Sequence, residues 1–332
     1  MWSIGGLRID GKAVLGPMSG FTSRSYRDFM KPFGASLCVT EMTSDLGVLH
    51  GQKRTLGYIG FSDNHPTAVQ LFGHDPEKMA DAASKVLEFN PETDIIDINM
   101  GCPVPKVNRS GSGASLMKDP ARCGDIVRAI KRKVDVPVTA KIRLGMTSSS
   151  MNFRVVIGEL ISAGVDMIAV HPRTREEGYS GFLHMDLVEG LQKEMSVPLV
   201  ISGNIYHLRD AINAVRITGA TAVMVARGGV GNPYLITQID RYFRTGERLQ
   251  NPTVSQQVDW CLRFMDMLIE EKGEEKAIMK MRCFAPRFIA GCRYSRPYRL
   301  SLATNVTDKA SLIQFLERIR NELGDEHIYG IK

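Results

Sequence analysis

The chain has 332 residues, 43% of them hydrophobic and 23% charged, and its 42 basic and 36 acidic side chains leave a formal net charge of +6. That balance excludes an intrinsically disordered chain, which carries fewer apolar residues and more net charge per residue. No run of about 18 uninterrupted apolar residues occurs, which excludes a hydrophobic spanning helix. The N-terminal MWSIGGLRIDGK lacks the basic start, apolar core and cleavage site of a signal peptide. Six cysteines are scattered with no CxxC pair and no zinc-ligand spacing. The expectation is a cytoplasmic, metal-free protein with reduced thiols and no membrane partner.

Eight short apolar runs recur along the first two thirds of the chain. They are AVLGPM (13–18), LCVTEM (37–42), TAVQLFG (67–73), DIIDINMGC (94–102), VPVTAKIRLG (136–145), MIAVHPR (167–173), VPLVISGNI (197–205) and TAVMVARGG (221–229). Nearly continuous apolar runs, as opposed to alternating ones, are the mark of strands buried on both faces of a parallel sheet. Helical segments separate most of them. Asp75-Pro76 and Asp119-Pro120 each set an N-cap acid before a proline at the first helical position. Eight strands alternating with helices predict a closed (β/α)8 TIM barrel; an open doubly wound sheet would show GxGxxG after its first strand.

Beyond residue 240 the strand-like runs stop. Three helices are expected at 254–272, 275–291 and 308–323, with 244–252 as the joint. The expected division is a catalytic barrel over 1–240 and a small C-terminal helical domain over 241–332. Residues 276–299 hold Lys276, Lys280, Arg282, Arg287, Arg293, Arg296 and Arg299 with no acid, more positive charge than the whole chain nets. Phe288, Tyr294 and Tyr298 are interleaved with them. A basic surface studded with aromatic rings suits RNA, whose phosphates supply affinity and whose exposed bases stack.

Barrel chemistry sits on the loops leaving the C-terminal strand ends. The polar residues there are Gln70, Asn99, Cys102, Lys141, Arg143, His171, Arg173, Ser202, Asn204 and Arg227. Gly203 after the seventh strand, and Gly228, Gly229 and Gly231 after the eighth, leave room for a phosphate to approach the backbone. Lys141 lies inside an apolar strand, where a cation is costly unless it meets an anionic or electron-rich ligand. Cys102 sits in a Gly-Cys-Pro turn over the barrel mouth, as a nucleophile or a general acid.

GPMSGFTSRSYR, CVTEMTSD, AVQLFGHDP, DIIDINMGCPVPKVNRSGSGASLMKDP, VPVTAKIRLG, VHPRTREEGYSG and VMVARGGVGNPYL together resemble the tRNA-dihydrouridine synthase family, in particular its bacterial NifR3-like branch. The resemblance covers about residues 9–240 and continues more weakly into the tail. It implies an FMN-dependent oxidoreductase that reduces tRNA uridines with NADPH. Carried over by motif, Gly16, Pro17 and Met18 would line the flavin, and Gln70 and Lys141 would hydrogen-bond its ring system. His171 would lie beside flavin and uracil, while Ser202, Gly203, Asn204, Ala226 and Arg227 would grip the phosphate. Cys102 matches the family's acid: hydride passes from flavin N5 to uracil C6, and the thiol protonates C5. Asn99 and Arg143 are expected contacts to the target nucleotide, and Arg287, Arg293 and Arg296 to tRNA.

The chain departs from the family pattern in several places. Ser202-Gly203-Asn204 stands for Asn-Gly-Asp, Ala226 for glycine, Pro172 for the glycine after His171, and Glu177 for glutamine. Losing a carboxylate at 204 favours a phosphate electrostatically. Two other readings remain open at this stage. One is an FMN barrel acting on a free pyrimidine, of the dihydroorotate or dihydropyrimidine dehydrogenase kind; the other is a barrel that binds tRNA without reducing it.

Overall fold

A computed structural model describes residues 1–60 and 65–329, apart from the side chains at 303 and 305. The eight expected strands are all present: β1 (Ala13–Leu15), β2 (Leu37–Val39), β3 (Thr67–Phe72), β4 (Ile95–Met100), β5 (Val138–Ile142), β6 (Met167–Val170), β7 (Leu199–Ser202) and β8 (Ala222–Val225). Each pairs in parallel with its neighbours, and β8 pairs back onto β1 with Met224 opposite Val14. The sheet is therefore a closed barrel, with a two-residue strand, Thr43–Ser44, added beside the end of β3. Closure explains the apolar runs, because one face of each strand fills the barrel and the other meets the helices.

The Asp-Pro signals start helices as expected. Asp75 accepts the backbone N–H of Lys78 at 3.0 Å to open the helix Pro76–Phe89, and Asp119 accepts that of Arg122 at 3.1 Å to open Pro120–Lys131. Each cap satisfies a donor that the first helical turn leaves without a partner. After β6 the connection runs through two short 3-10 turns, Asp186–Val188 and Leu191–Glu194.

A hairpin that the apolar-run pattern does not reveal, Trp2–Ile4 with Leu7–Ile9, closes the barrel floor. Its turn is Gly5-Gly6, and Gly5 has φ +56° beside Pro137 and Asp166 at the N-terminal ends of β5 and β6. Left-handed backbone at the first turn position is what a two-residue hairpin favours. Ile4 and Ile9 are fully buried among interior side chains that include Val14, Ala68, Ala169 and Val200.

Residue 240 lies inside the helix Tyr234–Thr245, which ends at Gly246 with its φ of +78°. Among the described residues the tail holds four helices where three were expected: Val254–Lys272, Glu274–Phe288, Ser295–Asn305 and Lys309–Leu323. A single hydrophobic cluster runs from the barrel into this tail. Phe264 meets Phe29 at 5.1 Å and Phe284 at 4.7 Å between ring centroids. Gln257 donates to the carbonyls of Gly231 and Phe288 at 2.9 and 2.8 Å, which ties the loop after β8 to the second tail helix.

Candidate active site and its relatives

The barrel mouth holds a cavity of about 360 Å3. Fifteen of the predicted residues line it: Gly16, Pro17, Met18, Gln70, Asn99, Cys102, Lys141, Arg143, His171, Ser202, Gly203, Asn204, Ala226, Arg227 and Gly228. Every strand except β3 contributes from its last residues or the segment after it, β2 through Met42; β3 contributes Gln70 from within the strand.

Running down from the cavity wall, three polar side chains form a string. Asn99 donates from Nδ2 to Gln70 Oε1 at 2.8 Å, and Gln70 donates from Nε2 to Asp97 Oδ2 at 2.7 Å. Thr139 donates to the other oxygen of Asp97 at 2.6 Å. At the upper end, Asn99 Oδ1 accepts the backbone N–H of Cys102 at 2.9 Å and that of Gly101 at 3.2 Å. The loop carrying the thiol is thereby held to the strand that precedes it. Burial pushes the Cys102 thiol above its ordinary pKa, although the Val104 N–H, Arg143 and Lys141 oppose the shift. Cys102 is therefore a protonated thiol at neutral pH, fit to give a proton and poorly suited to attack as a thiolate.

Lys141 projects from β5 and has no hydrogen-bond or ion-pair partner among the described residues. Burial, then the Arg143 charge, pushes its ammonium down to about 8. Asp97 acts on it only through space, its oxygens being hydrogen-bonded to Gln70 and Thr139, so the ammonium is left to meet an electron-rich ligand. His171 is driven well below its usual value by burial and by four cations, Lys141, Arg143, Arg173 and Arg227, so it is a neutral imidazole. The cavity is thus strongly cationic and fits an anionic ligand.

The loops after β7 and β8 touch backbone to backbone. A Cβ on Gly228 would lie 1.9 Å from the Ile205 carbonyl oxygen, so only glycine fits there. Asn204 is left-handed, with φ +51°, and accepts from Arg173 Nη1 at 3.3 Å. Arg227 donates to the Tyr179 carbonyl at 3.0 Å, and its guanidinium lies 5.6 Å from the Tyr179 ring and 5.8 Å from that of Tyr206. Met18, Met42 and Met224 supply polarizable apolar wall. The unpartnered lysine, the apolar methionines and the glycine-bearing cradle fit a flat, electron-rich ring that carries an anionic phosphate.

Arg143 does more structural work than its motif suggests. It donates to the carbonyls of Gly101, Thr174 and Gly178 at 2.7, 2.8 and 2.8 Å, joining the loops after β4 and β6. Glu177, which replaces the family's glutamine, accepts from the Thr174 N–H at 2.6 Å and lies 2.6 Å from His184 Nε2, where it stiffens the loop after β6.

The tail arginines stand apart from the cavity lining. Arg287 lies over the ring of Phe21, a lining residue, at 5.4 Å, Arg293 pairs with Glu326 at 2.6 Å, and Arg296 is exposed. The expected stacking aromatics need correction. Phe288 is fully buried in the core, and Tyr298 is buried and hydrogen-bonded to Glu322, so only Tyr294, 61% exposed, is open to a base. Their helical spacing aims Phe288 and Tyr298 inward, where their area is needed for packing.

Sequence reasoning missed Asp97, Met42, Tyr179 and Tyr206. Asp97 sits inside the apolar run DIIDIN, and an acid within a buried strand is a signal of the same kind as Lys141.

The family model described as dihydrouridine synthase matches residues 14–323. The chain belongs to the dihydrouridine synthase family. The match extends through the helical tail, well past the barrel. Among curated relatives, tRNA-dihydrouridine synthase B of Pseudomonas aeruginosa is 33% identical over 326 residues, 97% of this chain and 98% of that protein. A probable tRNA-dihydrouridine synthase 1 of Synechocystis is 34% identical over 274 residues, 82% of this chain and 76% of that protein. Among solved structures, a morphinone reductase variant in complex with tetrahydroNAD has a TM-score of 0.50 at 14% identity. The match covers 76% of this chain and 92% of that one, a likeness of fold alone. As a dihydrouridine synthase, the chain is a flavin-dependent oxidoreductase on a TIM barrel. Among the described residues, no helix is long and apolar enough to cross a membrane.

Proposed function

We propose that this dihydrouridine synthase uses FMN and NADPH to reduce the C5–C6 double bond of uridines in tRNA, in the cytoplasm. The observation that carries the reading is one cavity in which a protonated thiol, Cys102, faces an unpartnered cation, Lys141, and a glycine-bearing phosphate cradle. Lys141 and Gln70 would hold the ring edge, and Gly203, Asn204, Ala226 and Arg227 the phosphate. Reduced FMN held there would supply a hydride to uracil C6.

The remaining hydrogen is a proton, and Cys102 Sγ holds it for C5. Burial keeps the thiol protonated, while the Asn99 contact to the Cys102 N–H keeps it over the cavity. The neutral His171 adds no competing acid. The uracil must leave its stack to reach this depth, as base-modifying enzymes require. Arg287, Arg293 and Arg296 would contact the tRNA from the tail.

The test is a single-turnover assay with purified, flavin-loaded enzyme reduced by NADPH. Unmodified tRNA should reoxidise the flavin and gain dihydrouridine, whereas uracil or orotate should not react. Reaction with a free pyrimidine and not with tRNA would overturn the reading, and so would tRNA binding without a flavin spectrum.

A further inference from the structure

Amides in a hydrogen-bonded string can run in either direction unless one end is fixed. Gln70 and Asn99 each present an N–H2 and a carbonyl of nearly the same shape, so sterics alone do not choose between their two orientations. Asp97 can choose. It is 2% exposed, and both its oxygens accept, one from Thr139 and one from Gln70. With Nε2 committed to Asp97, Gln70 must turn Oε1 to Asn99, and Asn99 must then turn Nδ2 to Gln70. Asn99 Oδ1 is left facing the backbone N–H of Cys102, which needs an acceptor. Reversal would set Asn99 Nδ2 against that N–H, donor against donor, and leave two buried groups unsatisfied.

We propose that Asp97 is a positioning residue: it sets the direction of the Gln70–Asn99–Cys102 string and so holds the proton-donor loop in place. The inference rests on the reading of Cys102 as proton donor. The geometry of the string stands on its own, and the experiment separates the two.

Asn99→Asp places a second acceptor-only group at the top of the string, opposite Gln70 Oε1 while Asp97 holds Gln70 Nε2. In Asp97→Asn/Asn99→Asp the whole string can reverse. Asn at 97 donates to Gln70, Gln70 donates to the new carboxylate, and that carboxylate still accepts from Cys102.

Amide hydrogen exchange at Cys102 and thermal unfolding are measured for the wild type, both single variants and the double variant, with tRNA reduction in parallel. We expect Asn99→Asp to exchange faster and to lose about tenfold or more in tRNA reduction. Asp97→Asn should change less, since asparagine can serve either direction. The double variant should regain the wild-type exchange rate. Failure of Asn99→Asp to fold, with the double variant folded, supports the proposal equally. A double variant that exchanges as fast as Asn99→Asp, or that fails to fold alongside it, overturns it by showing that Asp97 does not set the direction. A wild-type enzyme that makes no dihydrouridine would defeat the functional reading and leave the exchange comparison to decide the string.

Discussion

Arg173 donates from Nη1 to Nε2 of His171 at 3.2 Å. An imidazole that accepts at Nε2 carries its proton on Nδ1 and holds no positive charge. Burial, then the nearby Lys141, Arg143, Arg173 and Arg227, keeps it so by lowering its pKa well below the ordinary histidine value. The pair explains how a cavity ringed by cations holds a histidine without adding another.

A pH dependence of stability follows. Above about pH 6.5 the histidine is neutral in both folded and unfolded chains, and its contribution to stability is intact. As pH falls below that value, the unfolded chain takes up a proton that the native site refuses. Stability then falls by about 1.4 kcal/mol per pH unit from this group. Denaturant titrations of the wild type near pH 7.5 and about pH 5.5 should show that loss, and His171→Asn should lessen it. Equal slopes in the two proteins would contradict the neutral-imidazole assignment.

Lys141 gives a ligand-linked counterpart. With its ammonium at about 8 in the unliganded site, an electron-rich ring must restore the proton when it binds above that pH. Flavin affinity should therefore weaken by up to about tenfold per pH unit above 8, until the bound-state pKa is reached. Lys141→Met should bind flavin more weakly at neutral pH and show a flat profile. Fluorescence titration of the apoprotein with FMN measures both.

The tail arginines should contribute unequally to RNA binding. Arg293 is already paired with Glu326, whereas Arg296 has no ion-pair partner among the described residues. Removing a free cation from a phosphate contact lowers the salt slope of binding by about one unit. Arg296→Ala should show that drop, and Arg293→Ala a smaller one. Filter-binding with tRNA across a salt series reads it, and unchanged slopes for both variants would remove this face from the tRNA footprint.

The barrel was legible because closure buries its strands on both faces, which leaves runs such as MIAV and LVIS with no alternation to confuse them. The site was legible because Lys141 and Cys102 stand where an apolar strand or a tight turn gives polar groups no packing reason to be. Other features depend on partners distant in sequence. The hairpin Trp2–Ile9 is three residues, a Gly-Gly turn and three residues, too short for a periodic signal. The helix Ser295–Asn305 carries Pro297 in its first turn and only a weak apolar stripe, so its composition reads as basic surface. That Arg143 also joins two loops, through Gly101, Thr174 and Gly178, depends on carbonyls distant in sequence. Phe288 and Tyr298 read as stacking platforms until the core claims them.

Cys102 as the proton donor in tRNA uridine reduction is tested most directly in cells. Dihydrouridine in tRNA is mapped by mass spectrometry in a strain lacking the gene, complemented with the wild type or with Cys102→Ala. Specific uridines should lose the modification without the gene and regain it with the wild type. The alanine variant, still flavin-loaded and still oxidising NADPH, should not restore it. Unchanged dihydrouridine without the gene, or full restoration by Cys102→Ala, would contradict it.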